Sequence, residues 1–200
     1  MGDYDGVLRA VWGVTYKTVV ERLVDVFDTA TPSDIEAGAQ WYPQAHVQAL
    51  QMADESGYDV ERCASVIAHL SVRKRWTENV IVAHAVLVDG KDHMPGQMAR
   101  EMGKALAVRN GEVDPIGSLG PKTRRFALNI LGDREVVTVD VWALRGAGLD
   151  ERFVGRKGAY DAVEAAYQAA ALRRGVEPPT MQATVWVVTR GGRREQPALF

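Results

Sequence analysis

The segment REVVTVDVWAL (Arg134–Leu144) constrains the fold more than any other stretch of this chain. Its valines give it strong β-propensity. Yet only ATVWVVTR (Ala183–Arg190) offers a second strand, and a lone strand pair is marginal in water. The segment is therefore expected to be an extended loop that passes into a helix at Val139–Ala147. Elsewhere the apolar residues recur at helical spacing. In YKTVVERLVDVFDTA (Tyr16–Ala30) they are Val19, Val20, Leu23, Val26 and Phe27.

Helix ends can be read from their capping chemistry. Ser33 and Glu36 have capping-box spacing, and Pro43 predicts a kink or restart at WYP. Asp59 caps DVERCASVIAHLS, Gly90 closes TENVIVAHAVLVDG, and Asn110-Gly111 closes GQMAREMGKALAVRNG. Pro121 suits the first position of PKTRRFALNILG, and Gly132 suits its end. GAYDAVEAAYQAAALRRG and PPTMQATVWVVTRGG supply the last two helices, and the GGRREQPALF tail is expected to be loose. The expectation is an all-α protein of roughly ten short helices.

The chain's 200 residues suffice for one domain or two small lobes. Its single cysteine, Cys63, excludes an intrachain disulfide, a four-cysteine iron–sulfur cluster and a multi-cysteine zinc site. No apolar run reaches the ~18–20 residues of a membrane span, so no membrane partner is expected. The N-terminus lacks a basic start followed by an apolar core, and a cytoplasmic location is the expectation. His46, His69, His84 and His93 are scattered, with no ligand motif, so no metal is expected. With a net charge of −2, nucleic-acid binding would require the basic residues to gather on one face. The clusters Arg73–Arg75 and Lys122–Arg125 could do so, or could be solvated helix ends. Trp41, Tyr42, Trp76, Trp142 and Trp186 are expected mainly in packing roles. Trp142 also stands as a base-pocket candidate because it lies two residues after Asp140. Asn79 is expected as a buried amide at a helix junction.

IGSLGPKT (Ile116–Thr123) places Gly117 and Gly120 just before a helix. Unpaired amides and the positive end of the helix dipole make such a start a phosphate site, or simply a connection between helices. Lys122 falls in the first turn, where the dipole favours its neutral, nucleophilic form. Asp140 follows eighteen residues later and is stabilised as an anion if a helix starts at Val139. An amine and a carboxylate so placed form a catalytic pair, a salt bridge or two unrelated charges.

The run GSLGPKTRRFALNILGDREVVTVDVWALR resembles the helix–hairpin–helix, glycine-proline-aspartate (HhH-GPD) segment of endonuclease III-like DNA glycosylases. Ile116, Gly120, Lys122 and Thr123 match the hairpin half, and Val139, Asp140 and Arg145 match the second half. The match is strong over about thirty residues, with weaker likeness from Leu70 onward. Gly117 replaces the hairpin proline, Ser118 its first glycine, and Arg73 the glutamine that opens the base gap. The C-terminal iron–sulfur cysteines common in the family are absent.

The resemblance implies two all-α lobes. One, about 59–147, is a helical barrel carrying the hairpin. The other combines 1–58 and 148–200. It also implies duplex DNA as partner, a monomer, and a nucleotide flipped into a cleft. Lys122 would be the nucleophile at the sugar C1′ and Asp140 its electrostatic and proton-transfer partner. Gly117, Ser118, Gly120 and Thr123 would lie at the DNA backbone, joined by Arg73, Lys74, Arg124 and Arg125. No cofactor is implied beyond a candidate alkali cation at the hairpin. A looser likeness, carried by QWYPQAH, LSVRKRWTEN, GPKTRRFALNILGD and VTVDVWALR, is to bacteriophage members that modify thymine. These amino acid:DNA transferase and α-glutamyl/putrescinyl thymine pyrophosphorylase-like proteins substitute activated hydroxymethyluracil and leave the strand intact. In that case the host cytoplasm is the compartment. A non-catalytic DNA binder of the same fold is the third expectation.

Overall fold

The computed structural model describes residues 2–191. Among the described residues there are ten α-helices and one 3₁₀ turn, with no strand, so the chain is all-α. Two compact units form. One holds residues 2–42 and 134–191, the other 43–133. The division therefore falls at 42/43 and 133/134, where the sequence reading places lobe boundaries at 58/59 and 147/148.

The first unit contains α1 (Tyr4–Trp12), α2 (Tyr16–Asp28), the start of α3 (Pro32–Ser56), α8 (Val141–Gly146), α9 (Ala159–Arg174) and α10 (Pro178–Thr189). Helix α1 was not among the sequence expectations. Asp3 caps it by accepting from the Gly6 amide at 2.8 Å, and Gly13 closes it in the left-handed region. Helix α9 packs against α1, α2 and α10. Its buried Ala162, Ala166 and Ala170 let those neighbours approach closely, while Tyr167 fills the centre with Leu8, Leu23, Leu144 and Met181. Fully burying a large apolar side chain contributes about 1.5–3 kcal/mol.

The second unit is built around α4 (Val60–Leu70), which packs against α5 (Trp76–Leu87), α6 (Ala99–Arg109) and α7 (Pro121–Ile130). Every residue from Cys63 to Leu70 is buried. The expected cap is present, with Asp59 accepting from the Arg62 amide at 2.7 Å. Asn79 is buried as expected and donates to the Ile67 carbonyl at 3.1 Å. Burial pushes the Cys63 thiol up to about 11, so at neutral pH it is an inert core thiol.

Two sequence expectations are corrected, and the kink or restart expected at Pro43 is narrowed. The box that opens α3 joins Thr31 and Asp34 rather than Ser33 and Glu36. Asp34 accepts from the Thr31 amide at 3.0 Å, and the Thr31 hydroxyl accepts from the Asp34 amide at 3.2 Å. Pro32 takes the first helical position, which moves the cap one residue upstream of it. No restart occurs at Pro43, since α3 runs as one element from Pro32 to Ser56. One missing donor costs a single hydrogen bond, and the turns on either side keep theirs. Finally, α8 begins at Val141 and not at Val139, so Asp140 is its N-cap. The expectation for the GGRREQPALF tail lies outside the described residues from 192 onward.

Candidate functional site

Asp140 belongs to the first unit. It ends an irregular stretch, 136–140, whose Val137, Thr138 and Val139 are buried, and its own backbone is extended. Buried backbone must find partners. In place of a sister strand, one polar stripe of α9 supplies them. Glu164 accepts from the Val137 amide at 2.9 Å. The Tyr160 hydroxyl accepts from the Val139 amide at 2.9 Å and donates to the Val137 carbonyl at 3.1 Å. Gln168 donates to the Glu135 carbonyl at 2.8 Å. Residues 160, 164 and 168 are spaced one turn apart and share a helix face. Three residues after Glu164, Tyr167 donates to the Ala143 carbonyl at 2.8 Å and holds α8.

The Asp140 side chain accepts from the Ala143 amide at 2.7 Å and is partly buried. This is ordinary N-cap chemistry, and it also fixes the carboxylate at the loop's end. Burial pushes the phenols of Tyr42 and Tyr167 up, and the Asp140 charge adds to both shifts. Both therefore stay neutral donors; Tyr42 donates to Gln182 at 2.8 Å. Sequence reading missed Tyr160, Glu164 and Gln168. Their signal was the i, i+4, i+8 polar spacing inside an otherwise alanine-rich helix.

Trp142 follows in the same unit. The Arg145 guanidinium lies 4.7 Å from its ring centroid, and the Arg190 guanidinium 5.1 Å. The indole thus packs against cations of its own chain.

The loop between α6 and α7, residues 110–120, belongs to the second unit. The Asp114 carboxylate accepts from the Ile116 amide at 3.1 Å and from the Gly117 amide. Those two amides are already engaged by the chain's own carboxylate. A Cβ on Gly117 would stand 2.7 Å from Asp114 Oδ1, which explains the glycine by the fold alone. Ser118 is exposed, and its hydroxyl donates to the Asp114 carbonyl at 2.5 Å. Ser65 of α4 donates to the Pro115 carbonyl at 2.7 Å and ties the loop down.

Gly120 differs. Its φ is −68°, and a Cβ there would meet nothing within 4 Å. It is the N-cap of α7, Pro121 follows it, and no side chain caps the helix. The first-turn amides of Lys122 and Thr123 therefore lack a side-chain acceptor. Lys122 and Arg124 are exposed, and Thr123 and Arg125 are half-buried. Lys122 and Asp140 belong to different units.

Arg73 is exposed and Lys74 half-buried, in the turn between α4 and α5. Arg73 has φ +58°, the one positive value at a non-glycine among the described residues. A left-handed L-residue costs roughly 1–2 kcal/mol, and such strain clusters at functional positions. Arg73→Gly is expected to raise stability by about 1 kcal/mol, or roughly 2–4 °C in Tm at this chain length. Thermal unfolding followed by circular dichroism checks it; an unchanged or lower Tm would show that the turn is not strained.

The histidines are dispersed. His46 meets the Ile130 carbonyl at 2.9 Å and His84 meets Glu55 at 2.8 Å, while His93 is exposed. His69 is buried, its Nδ1 3.6 Å from Glu101. Burial, then Lys104, holds it below its usual value, so it is neutral at pH 7. Among the described residues no group of three or more His, Cys, Asp or Glu could hold a metal ion. No described helix is long and apolar enough to cross a membrane.

No curated protein and no solved structure matches the chain. A family model does match, over residues 7–193. With nearly its whole length covered, the chain belongs to the family described as "Family of unknown function (DUF7178)".

Proposed function

We propose that this protein is a DNA-binding enzyme that acts on a flipped base, with glycosylase and strand-cleaving chemistry of the HhH-GPD kind. The observation that carries the reading is Gly120-Pro121-Lys122. The fold gives no steric reason for glycine at 120 beyond its acceptability as a cap, and the helix it opens has an uncapped first turn. Lys122 stands exposed in that turn, with Thr123 beside it and Arg124 and Arg125 behind. Such a helix start accepts a phosphate. Asp140, at the end of a loop held by α9 and bonded to the Ala143 amide, supports the second half of the reading as a fixed carboxylate.

In this chemistry the Lys122 amine forms a bond to the sugar C1′, and the bond from C1′ to the base breaks. The base leaves with the electron pair and takes up a proton. Asp140 stabilises the positive charge on the sugar and accepts the proton from the attacking amine. Loss of a second amine proton as the sugar ring opens gives an imine, which permits β-elimination.

Borohydride added to protein and lesion-bearing duplexes is expected to trap a covalent DNA adduct. Lys122→Ala is expected to abolish it, and Asp140→Asn to slow it by at least about 10²-fold. Absence of an adduct with every lesion would overturn the excision mechanism. A mass gain on hydroxymethyluracil-containing DNA with the strand intact would instead assign base modification. DNA binding with neither product would leave a passive binder.

A further inference from the structure

The first unit gathers three cation–π contacts on two indoles. Helix α8 contributes Trp142 and, one turn on, Arg145 at 4.7 Å. Helix α10 contributes Trp186 and, one turn on, its C-cap Arg190, also at 4.7 Å. Arg190 joins the two sets because it also lies 5.1 Å from Trp142. Trp41 extends the row, edge-on to Trp186 at 6.4 Å. Significant cation–π pairs occur about once per 70–80 residues, so three converging here is a concentration. Trp142, Trp186 and Arg190 are half-buried, and Arg145 is exposed.

Contact with a ring face and hydrogen bonding use different parts of a guanidinium. The π-face meets the indole, and the in-plane N–H groups donate at the edge. An arginine held over a ring in this way loses less freedom when it meets a planar pair of phosphate oxygens. Glu151 tempers the cluster. It takes Arg145 Nε at 3.1 Å and Nη2 at 3.4 Å, on the exposed side of the pair.

We infer that Arg190 and Arg145, ordered on Trp142 and Trp186, form a second contact for the DNA backbone, separate from the hairpin and close in sequence to Asp140. This inference rests on the DNA reading above. The ligand is a run of DNA phosphates, and Glu151 acts as the counter-ion that the phosphates displace from Arg145.

Anisotropy of a labelled duplex of about 20 base pairs, titrated from about 50 to 200 mM salt, tests it. Arg190→Gln is expected to weaken binding equally for all sequences and to make the log K against log salt slope shallower by about 1. Arg190→Lys should keep the slope but lose affinity, since the ammonium has no planar face to lay on the indoles. Glu151→Gln should tighten binding and steepen the slope. It alters one exposed pair, so it also carries the test if Arg190→Gln loses its helical circular dichroism signal. Wild-type affinity and slope in both Arg190→Gln and Glu151→Gln would overturn this contact while leaving the DNA reading intact. Failure of the unaltered protein to bind any duplex would overturn the DNA reading itself, and this contact with it.

Discussion

Glu164→Ala is expected to cost about 3 kcal/mol, well above the usual effect of a single polar substitution. The reason is an asymmetry in hydrogen bonding. A bond made in the folded state contributes about 1 kcal/mol net, because water is given up to make it. A buried donor left with nothing costs its full desolvation, about 1–3 kcal/mol, and more when the lost acceptor is a carboxylate. Glu164 is buried and takes the amide of buried Val137 at 2.9 Å. Truncation strands that amide and leaves a cavity where the side chain lay. At roughly 2–4 °C per kcal/mol for a chain of this size, Tm should fall by about 6–12 °C. Glu164→Gln keeps an acceptor oxygen at the same place and should recover most of the loss. Hydrogen exchange at Val137 and Val139 would locate the effect: both amides should exchange faster in the alanine variant. Equal protection in the two proteins would show that α9 does not hold this loop. Because the loop ends in Asp140, the chemistry proposed above carries a further expectation: adduct yield falls with the alanine variant and returns with glutamine.

Gly38→Ala is the second large effect, and it sets two opposed terms against each other. Alanine is the better helix former by about 1 kcal/mol in a helix interior. Gly38, however, lies where α3 meets α10 inside the first unit. A Cβ there would stand 2.2 Å from the Thr184 hydroxyl, 2.7 Å from the Thr184 amide nitrogen and 2.9 Å from its Cα. Two of those three atoms are backbone, so no rotamer change relieves the overlap. Overpacking of this kind costs typically 1–3 kcal/mol and more where the backbone must move. The clash wins, and a net loss of about 2 kcal/mol is expected in urea unfolding. Thr184→Ala in the same chain should restore only part of it, since the amide nitrogen remains. Gly120→Ala is the contrasting case. Nothing lies within 4 Å of its Cβ position, so it should leave stability within about 0.5 kcal/mol. A stable Gly120→Ala protein with weakened DNA binding would tie that glycine to ligand approach.

The candidate site was legible in part. Lys122 could be placed in a first helical turn from Gly120-Pro121 alone, because proline at the first position and the lack of a cap are local facts. Asp140 could be placed at a loop-to-helix junction, though the sequence reading put the helix two residues early. Gly117 read as a contact for the DNA backbone, yet Asp114 occupies its amide and that of Ile116. A carboxylate two or three residues upstream of an amide can fold back on it or point to solvent, and spacing does not say which. Trp142 read as a packing ring and a base-pocket candidate. Its second arginine comes from α10, forty-eight residues further on, and local pattern cannot bring it there.

Chain chemistry alone was enough for the class of the fold and for most helix ends. Asp59, Gly90, Pro121 and Gly175 act within a few residues of themselves, so their effect survives any tertiary arrangement. The all-α outcome follows from the same economy: strands need distant partners, and the chain offers too few. What tertiary structure decided was how EVVTVD satisfies its backbone. Its β-propensity is real, but propensity describes a preference for extended geometry and does not name a partner. Tyr160, Glu164 and Gln168 of α9 took the place of a second strand, because hydrogen-bonding side chains one turn apart can serve an irregular, buried loop. That choice buries Val137 and Val139 and fixes Asp140 at the head of α8.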